Sequence, residues 1–234
     1  MPLQPQADHA GRQSQVHVIG CGALVRELRA VLPTDNMTVT YLPAPLHNRP
    51  DRIVPAVEAA LDAAPHNDRV FLAYGDCGTG GALDRAMERW RSERRLHVSR
   101  LPGDHCYEFF TGSAAFAQLH EGELGTLFLT DYLARHFDLL IWQGLGIDEH
   151  PELLPSYFGN YTRLVHIRQT IDPATALELD AMARSAATRL GLRFESCRTG
   201  LDPLEAAVSI ALTRLDDNQN DCDHTGHDPE PGVH

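Results

Sequence analysis

Short runs of aliphatic and β-branched residues recur along the chain, and each is followed by a longer amphipathic stretch. Val16–Gly20, Met37–Leu42, Val70–Tyr74, Leu96–Leu101, Arg163–Arg168 and Leu192–Glu195 read as strands. The first, third and fourth of these are short apolar, β-branched runs that read as buried strands. Between them lie helical patterns at Ala23–Val31, Gly81–Arg94, Cys106–Leu119, Asp131–Gln143, Ala174–Leu190 and Asp202–Leu215. A further helix opens at Arg49-Pro50-Asp51 and runs to about Ala64, with Pro50 in the first turn, where its missing N–H costs nothing. Pro55 either delays or kinks that helix. Gly191 is a suitable C-terminal stop for the alanine-rich helix before it.

Strand and helix alternate, so the chain is expected to be α/β: a Rossmann-like three-layer sandwich with a mostly parallel sheet. Residues 106–161 show helices and no clear strand, and are expected to form a helical insertion over the sheet edge. Residues 16–215 then make one domain. The polar residues 1–15 and the acidic residues 216–234 are expected to be disordered tails.

The chain has 234 residues, enough for a sizeable core, and 43% of them are hydrophobic. A net charge of −12 argues against nucleic-acid or anionic-membrane partners. No apolar run approaches the ~18 residues of a membrane helix. The first fifteen residues lack a signal-peptide core, so a cytoplasmic location is expected. Five cysteines in such a chain point to free thiols, metal binding or catalysis and not to a disulfide framework.

Three of those cysteines share one setting. Cys21 (V-I-G-C-G), Cys77 (Y-G-D-C-G-T-G-G) and Cys106 (G-D-H-C-Y-E-F) each follow a predicted strand, with glycine close before them. Loops at the carboxyl ends of parallel strands gather at one edge, where ligands bind. The three thiols are therefore expected to converge on one site. Three thiolates with an open fourth position suit a catalytic zinc or a [4Fe-4S] iron-sulfur cluster, and His47 or His105 would complete a Cys3His zinc set. Cys106 at a helix start beside His105 is also the best candidate for a reactive thiol.

Around these cysteines sit further polar residues. The loop Gly78-Thr79-Gly80-Gly81 lets backbone approach a ligand and leads into a helix whose N–H groups could hold an anion. His47 and Arg49, in L-H-N-R-P, follow the second strand and are expected to meet substrate. Asp76, His105 and Glu108 are candidates for acid–base or ligand-supporting roles, as is His47. Asn160 and Tyr161, in Y-F-G-N-Y, suggest a substrate lid. Cys197 is a weaker fourth thiol. Thr130-Asp131 reads as a helix cap.

The motifs V-I-G-C-G-A-L, L-H-N-R-P, Y-G-D-C-G-T-G-G, G-D-H-C-Y-E-F, G-T-L-F-L-T-D-Y-L-A-R-H-F-D, G-L-G-I-D-E-H-P-E-L and Y-F-G-N-Y together resemble a family of unknown function in bacteria and archaea. The resemblance spans about Val16 to Leu215 and implies that the motif cysteines matter. It also implies a setting: such proteins are often encoded beside corrinoid-dependent methyltransferases. The expectation is thus a metal–thiolate enzyme or accessory in one-carbon, corrinoid-linked methyl metabolism, with a small-molecule substrate and a corrinoid protein or methyltransferase as partner. Two alternatives stand beside it. One is a non-catalytic module binding a corrinoid, a small molecule or a methyltransferase. The other is a metal-free enzyme with a cysteine nucleophile.

Overall fold

A computed structural model describes residues 15–33, 35–64 and 68–223. The expected α/β architecture holds, with two parallel sheets in place of one. The first has the order β2-β1-β3-β4, formed by Val16–Cys21 (β1), Met37–Leu42 (β2), Arg69–Ala73 (β3) and His97–Arg100 (β4). The second has the order β5-β6-β7, formed by Thr126–Thr130 (β5), Arg163–Arg168 (β6) and Arg193–Arg198 (β7). Pairing is in register at the carboxyl end of the first sheet, where Cys21 lies opposite Leu42 and Gly20 opposite Ala73.

The helices are Val25–Val31 (α1), Ile53–Ala63 (α2), Ala82–Arg94 (α3), Cys106–Thr111 (α4), Ser113–Gly122 (α5), Asp131–Arg135 (α6), Leu154–Phe158 (α7), Pro173–Leu190 (α8) and Asp202–Asp223 (α9). The strand pleat sorts them into layers. Along β3, Val70 and Leu72 face Ile53, Val57, Leu83 and Trp90 of α2 and α3. Phe71 and Ala73 point the other way, into a core with Leu28, Phe109, Phe110, Leu204 and Val208. Phe128 of β5 and Val165 and Ile167 of β6 enter that same core, so it is shared by both sheets. Leu129 and Leu164 face outward against Leu133, Ala183 and Ala187 of α6 and α8. α9 returns from the second sheet to pack on β3 and β4.

Two expectations change. Residues 106–161 are not purely helical, because T-L-F-L-T forms β5 and founds the second sheet. The acidic run after Leu215 continues as helix to Asp223, since α9 is anchored by Leu204, Val208, Ala211 and Leu215, all buried, and the helix propagates beyond them. Residues 1–14 and 224–234, parts of the two expected tails, lie outside the described residues.

Candidate functional site: three thiols at one sheet edge

β1 ends on Cys21, and Gly22 follows because a Cβ there would stand 2.6 Å from the Leu42 carbonyl oxygen. The β3 loop is tied to the β4 loop by two backbone bonds: Asp76 N–H donates to Gly103 O (3.0 Å) and Cys77 N–H to Asp104 O (2.8 Å). Cys77 itself is left-handed, with φ 50°. That conformation costs an L-residue on the order of 1 kcal/mol, and the loop around it is built to sustain it. The Asp76 carboxylate accepts from the Thr79 hydroxyl (2.6 Å), Gly80 N–H (3.0 Å) and Gly81 N–H (2.7 Å). Cys106 opens α4. Its helix start is fixed by Glu108, whose Oε1 accepts from Asp104 N–H at 2.7 Å and His105 N–H at 3.3 Å.

These three loops bring Cys21, Cys77 and Cys106 to the wall of one small cavity, of about 30 Å³. His47 and Tyr74 share the wall, with apolar residues such as Ile53, Phe109, Leu133 and Leu140 around them. His47 is placed by the short helical turn Ala44–Asn48, which Asn48 pins by donating to Leu140 O (2.6 Å). Leu140 belongs to a π-helical turn, Asp138–Gln143. The Tyr74 hydroxyl is buried, makes no hydrogen bond of normal geometry, and has the Cys21 thiol as its polar neighbour.

The electrostatics of the cavity disfavour charge. Burial pushes the Cys21 thiol up. Burial, then Cys21, pushes Cys77 up to about 12. Cys106 is pushed well above its ordinary value by burial, then by Cys77 and Cys21. Burial thus opposes a thiolate at Cys106, against the pull expected from the start of a short helix. Packing around its ring, then His105, lowers His47, which is neutral at pH 7. Three neutral thiols and a neutral imidazole thus line the space, and the pull of Arg100 on Cys77 is too weak to offset burial.

Beyond His47 lies a wider groove of about 580 Å³. Its wall is aromatic: Tyr107, Phe116 and Phe128 stack and tilt at centroid distances of 5.0–6.0 Å. His105, His120, Asn160 and Tyr161 also line it. So His47 belongs to both spaces, whereas His105, Asn160 and Tyr161 belong to the groove.

Other expected site residues stand elsewhere. Arg49 is exposed and paired with Asp51 (3.3 Å). Gly78, Thr79, Gly80 and Gly81 line neither space, and the N–H groups of Gly80 and Gly81 are already taken by Asp76. Asp76 and Glu108 spend their carboxylates on backbone N–H groups. Tyr74, Tyr107, Phe116 and Phe128 enter the two spaces without having stood out in the sequence. Only the tyrosine beside Y-G-D-C gave any sign, through its place at a strand end.

The cavity brings three sulfur donors and one imidazole together. The arrangement is not yet a ligand shell: among the described residues, no group of three or more His, Cys, Asp or Glu side chains is set to hold a metal.

The family described as "Protein of unknown function (DUF1638)" matches residues 41–208, more than half of the chain. The chain belongs to the DUF1638 family. No curated protein and no solved structure matches it. The DUF1638 segment contains His47, Cys77, Cys106 and the whole aromatic groove, while Cys21 precedes it. Among the described residues no helix is long and apolar enough to cross a membrane.

Proposed function

We propose that the protein is an enzyme or enzyme accessory centred on a metal–thiolate site made by Cys21, Cys77 and Cys106, with the aromatic groove beyond His47 taking a small-molecule substrate. The observation that carries this reading is convergence: three thiols from three separate strand ends line one cavity. Its volume admits about one or two water-sized bodies, which favours a single ion over a four-iron cluster or a corrinoid. Thiol donors with imidazole favour zinc, which supplies Lewis-acid chemistry when bound.

The chain's own residues have definite tasks. Cys21, Cys77 and Cys106 would hold the ion as thiolates, with their protons passing to solvent, and its charge would offset the burial that otherwise keeps them neutral. Tyr74, whose buried hydroxyl has Cys21 as its polar neighbour, would donate to that sulfur once it is a thiolate. His47 is neutral and stands between cavity and groove, so it can complete the donor set or take a proton from substrate. Tyr107, Phe116 and Phe128 exclude water from the groove.

A metal-free nucleophile needs a thiolate, and the raised values of all three cysteines weigh against one. The corrinoid-linked methyl chemistry and the methyltransferase partner rest on the family resemblance, and the proposal is confined to the thiolate site and its groove. Metal analysis of anaerobically purified protein tests it. Wild type and Cys197→Ser should carry about one zinc per chain, and Cys77→Ser should lose most of it. Equal metal content in all three would overturn the proposal.

A further inference from the structure

A second cavity, of about 490 Å³, opens where the carboxyl ends of β5, β6 and β7 face α1. It shares no lining residue with the cysteine cavity or the groove. Its volume lies in the range of small-molecule sites, at the sheet edge where α/β folds bind ligands.

Its floor is acidic and rigid. Asp131 is 6% exposed. Its N–H donates to Gln169 Oε1 (2.8 Å), and its Oδ2 accepts from Thr170 N–H (2.8 Å). Oδ1 lies 3.0 Å from Nε2 of His166, a fully buried residue of β6. The other ring nitrogen of His166 lies 2.7 Å from Asp180 Oδ1. Arg168 (2.7 Å) and the Ser196 hydroxyl (2.8 Å) donate to Asp180 in turn. A network of four side chains, His166, Asp180, Arg168 and Ser196, thus holds one carboxylate at the cavity. Glu27 of α1 stands beside it, 9% exposed, lining the cavity and making no ion pair or side-chain hydrogen bond to another described residue. A buried carboxylate in that position is costly unless a donor meets it. Burial, and then Asp131 nearby, raise its pKa, while Arg26 opposes the rise. The rim carries two guanidinium groups and one carboxylate: Arg26 and Arg198 line the cavity, are exposed and form no ion pair among the described residues, and the exposed Asp202 lines it with them.

One ligand class satisfies both ends. An anion alone would leave Glu27 unmet and face the acidic floor, and an amine alone would leave the two guanidinium groups unmet. We propose that this cavity binds a small amino-acid-type zwitterion, its ammonium group at Glu27 and Asp131 and its carboxylate at Arg26 and Arg198. Recognition would be bidentate at the arginine end and charge-assisted at the acid end.

The test is thermal-shift screening of the full chain with the proteinogenic amino acids, followed by calorimetry. The best binder is compared with its des-amino acid and its decarboxylated amine. Arg198→Ala removes an exposed side chain and Glu27→Gln keeps the shape of its own, with folding of both checked by circular dichroism. At least one amino acid should bind wild type, its two truncated analogues should bind at least about tenfold more weakly, and each variant should lose about tenfold or more. The proposal is overturned if no amino acid binds, if either analogue binds as well as the parent, or if either variant binds as wild type does. None of these results depends on metal at the cysteines.

Discussion

In chelator-treated protein kept free of oxygen, Cys77 should be almost inert to iodoacetamide. The attacking species is the thiolate, so the rate follows its population. Burial and the neighbouring Cys21 move Cys77 from 9.0 to about 12, against a weaker pull from the Gly75 backbone and Arg100. At about pH 8 that shift lowers the thiolate population about a thousandfold relative to the same cysteine in unfolded chain, since each unit is a factor of ten. The assay is alkylation over time, quenched and read by peptide mass spectrometry, on folded protein and on protein in guanidinium. Between about pH 9 and about pH 11 the folded rate should still climb about tenfold per unit, while the unfolded rate levels off. A folded Cys77 that reacts within about tenfold of the unfolded rate at about pH 8 would refute the reasoning. It would mean that a cation of the protein already stabilises the thiolate, and the metal-free nucleophile would become the better reading.

The same shift has a thermodynamic counterpart. The folded value of Cys77 lies above the unfolded one, so its stabilising contribution is complete below 9.0 and is lost as pH rises toward about 12. Metal-free protein should therefore lose up to about 4 kcal/mol from Cys77 across that window, and Cys77→Ala should flatten the melting-temperature profile there. Glu108→Ala removes the acceptor for Asp104 and His105 N–H and should cost about 1 kcal/mol in denaturant unfolding, with metal content unchanged. Loss of metal without loss of stability would instead give Glu108 a role at the site. Gly103→Ala places a Cβ 2.8 Å from the Glu108 carboxylate at a backbone φ of 96°; it should cost about 1–3 kcal/mol, and an unchanged melting temperature would refute that strain argument.

Much of the fold was legible because strand and helix periods differ. The runs at β1, β2, β3, β4 and β6 carry clear strand signals, and β7 differed only at its ends. The missed strand, T-L-F-L-T, lies directly before a helix cap, inside a segment whose flanking patterns on both sides are helical. With β5 unseen, a second sheet could not be foreseen. The convergence of the cysteines was legible because all three sit at carboxyl ends of parallel strands. The roles of their neighbours were not. Asp76 and Glu108 look like chemistry beside a cysteine, yet each satisfies backbone N–H groups of its own loop, an effect of local geometry that residue type does not disclose. His166 reads as strand core in R-L-V-H-I-R. Its partners Asp131 and Asp180 lie 35 and 14 residues away, and only the packing of β5, β6 and α8 brings them together.

Binding of one metal ion by Cys21, Cys77 and Cys106 can be read from X-ray absorption at the zinc edge of metal-loaded protein. The expected spectrum is that of a four-coordinate zinc with three sulfur neighbours at about 2.3 Å and one lighter neighbour at about 2.0–2.1 Å, falling to two sulfurs in Cys77→Ser. A shell of nitrogen and oxygen alone, or one unchanged by that substitution, would contradict it.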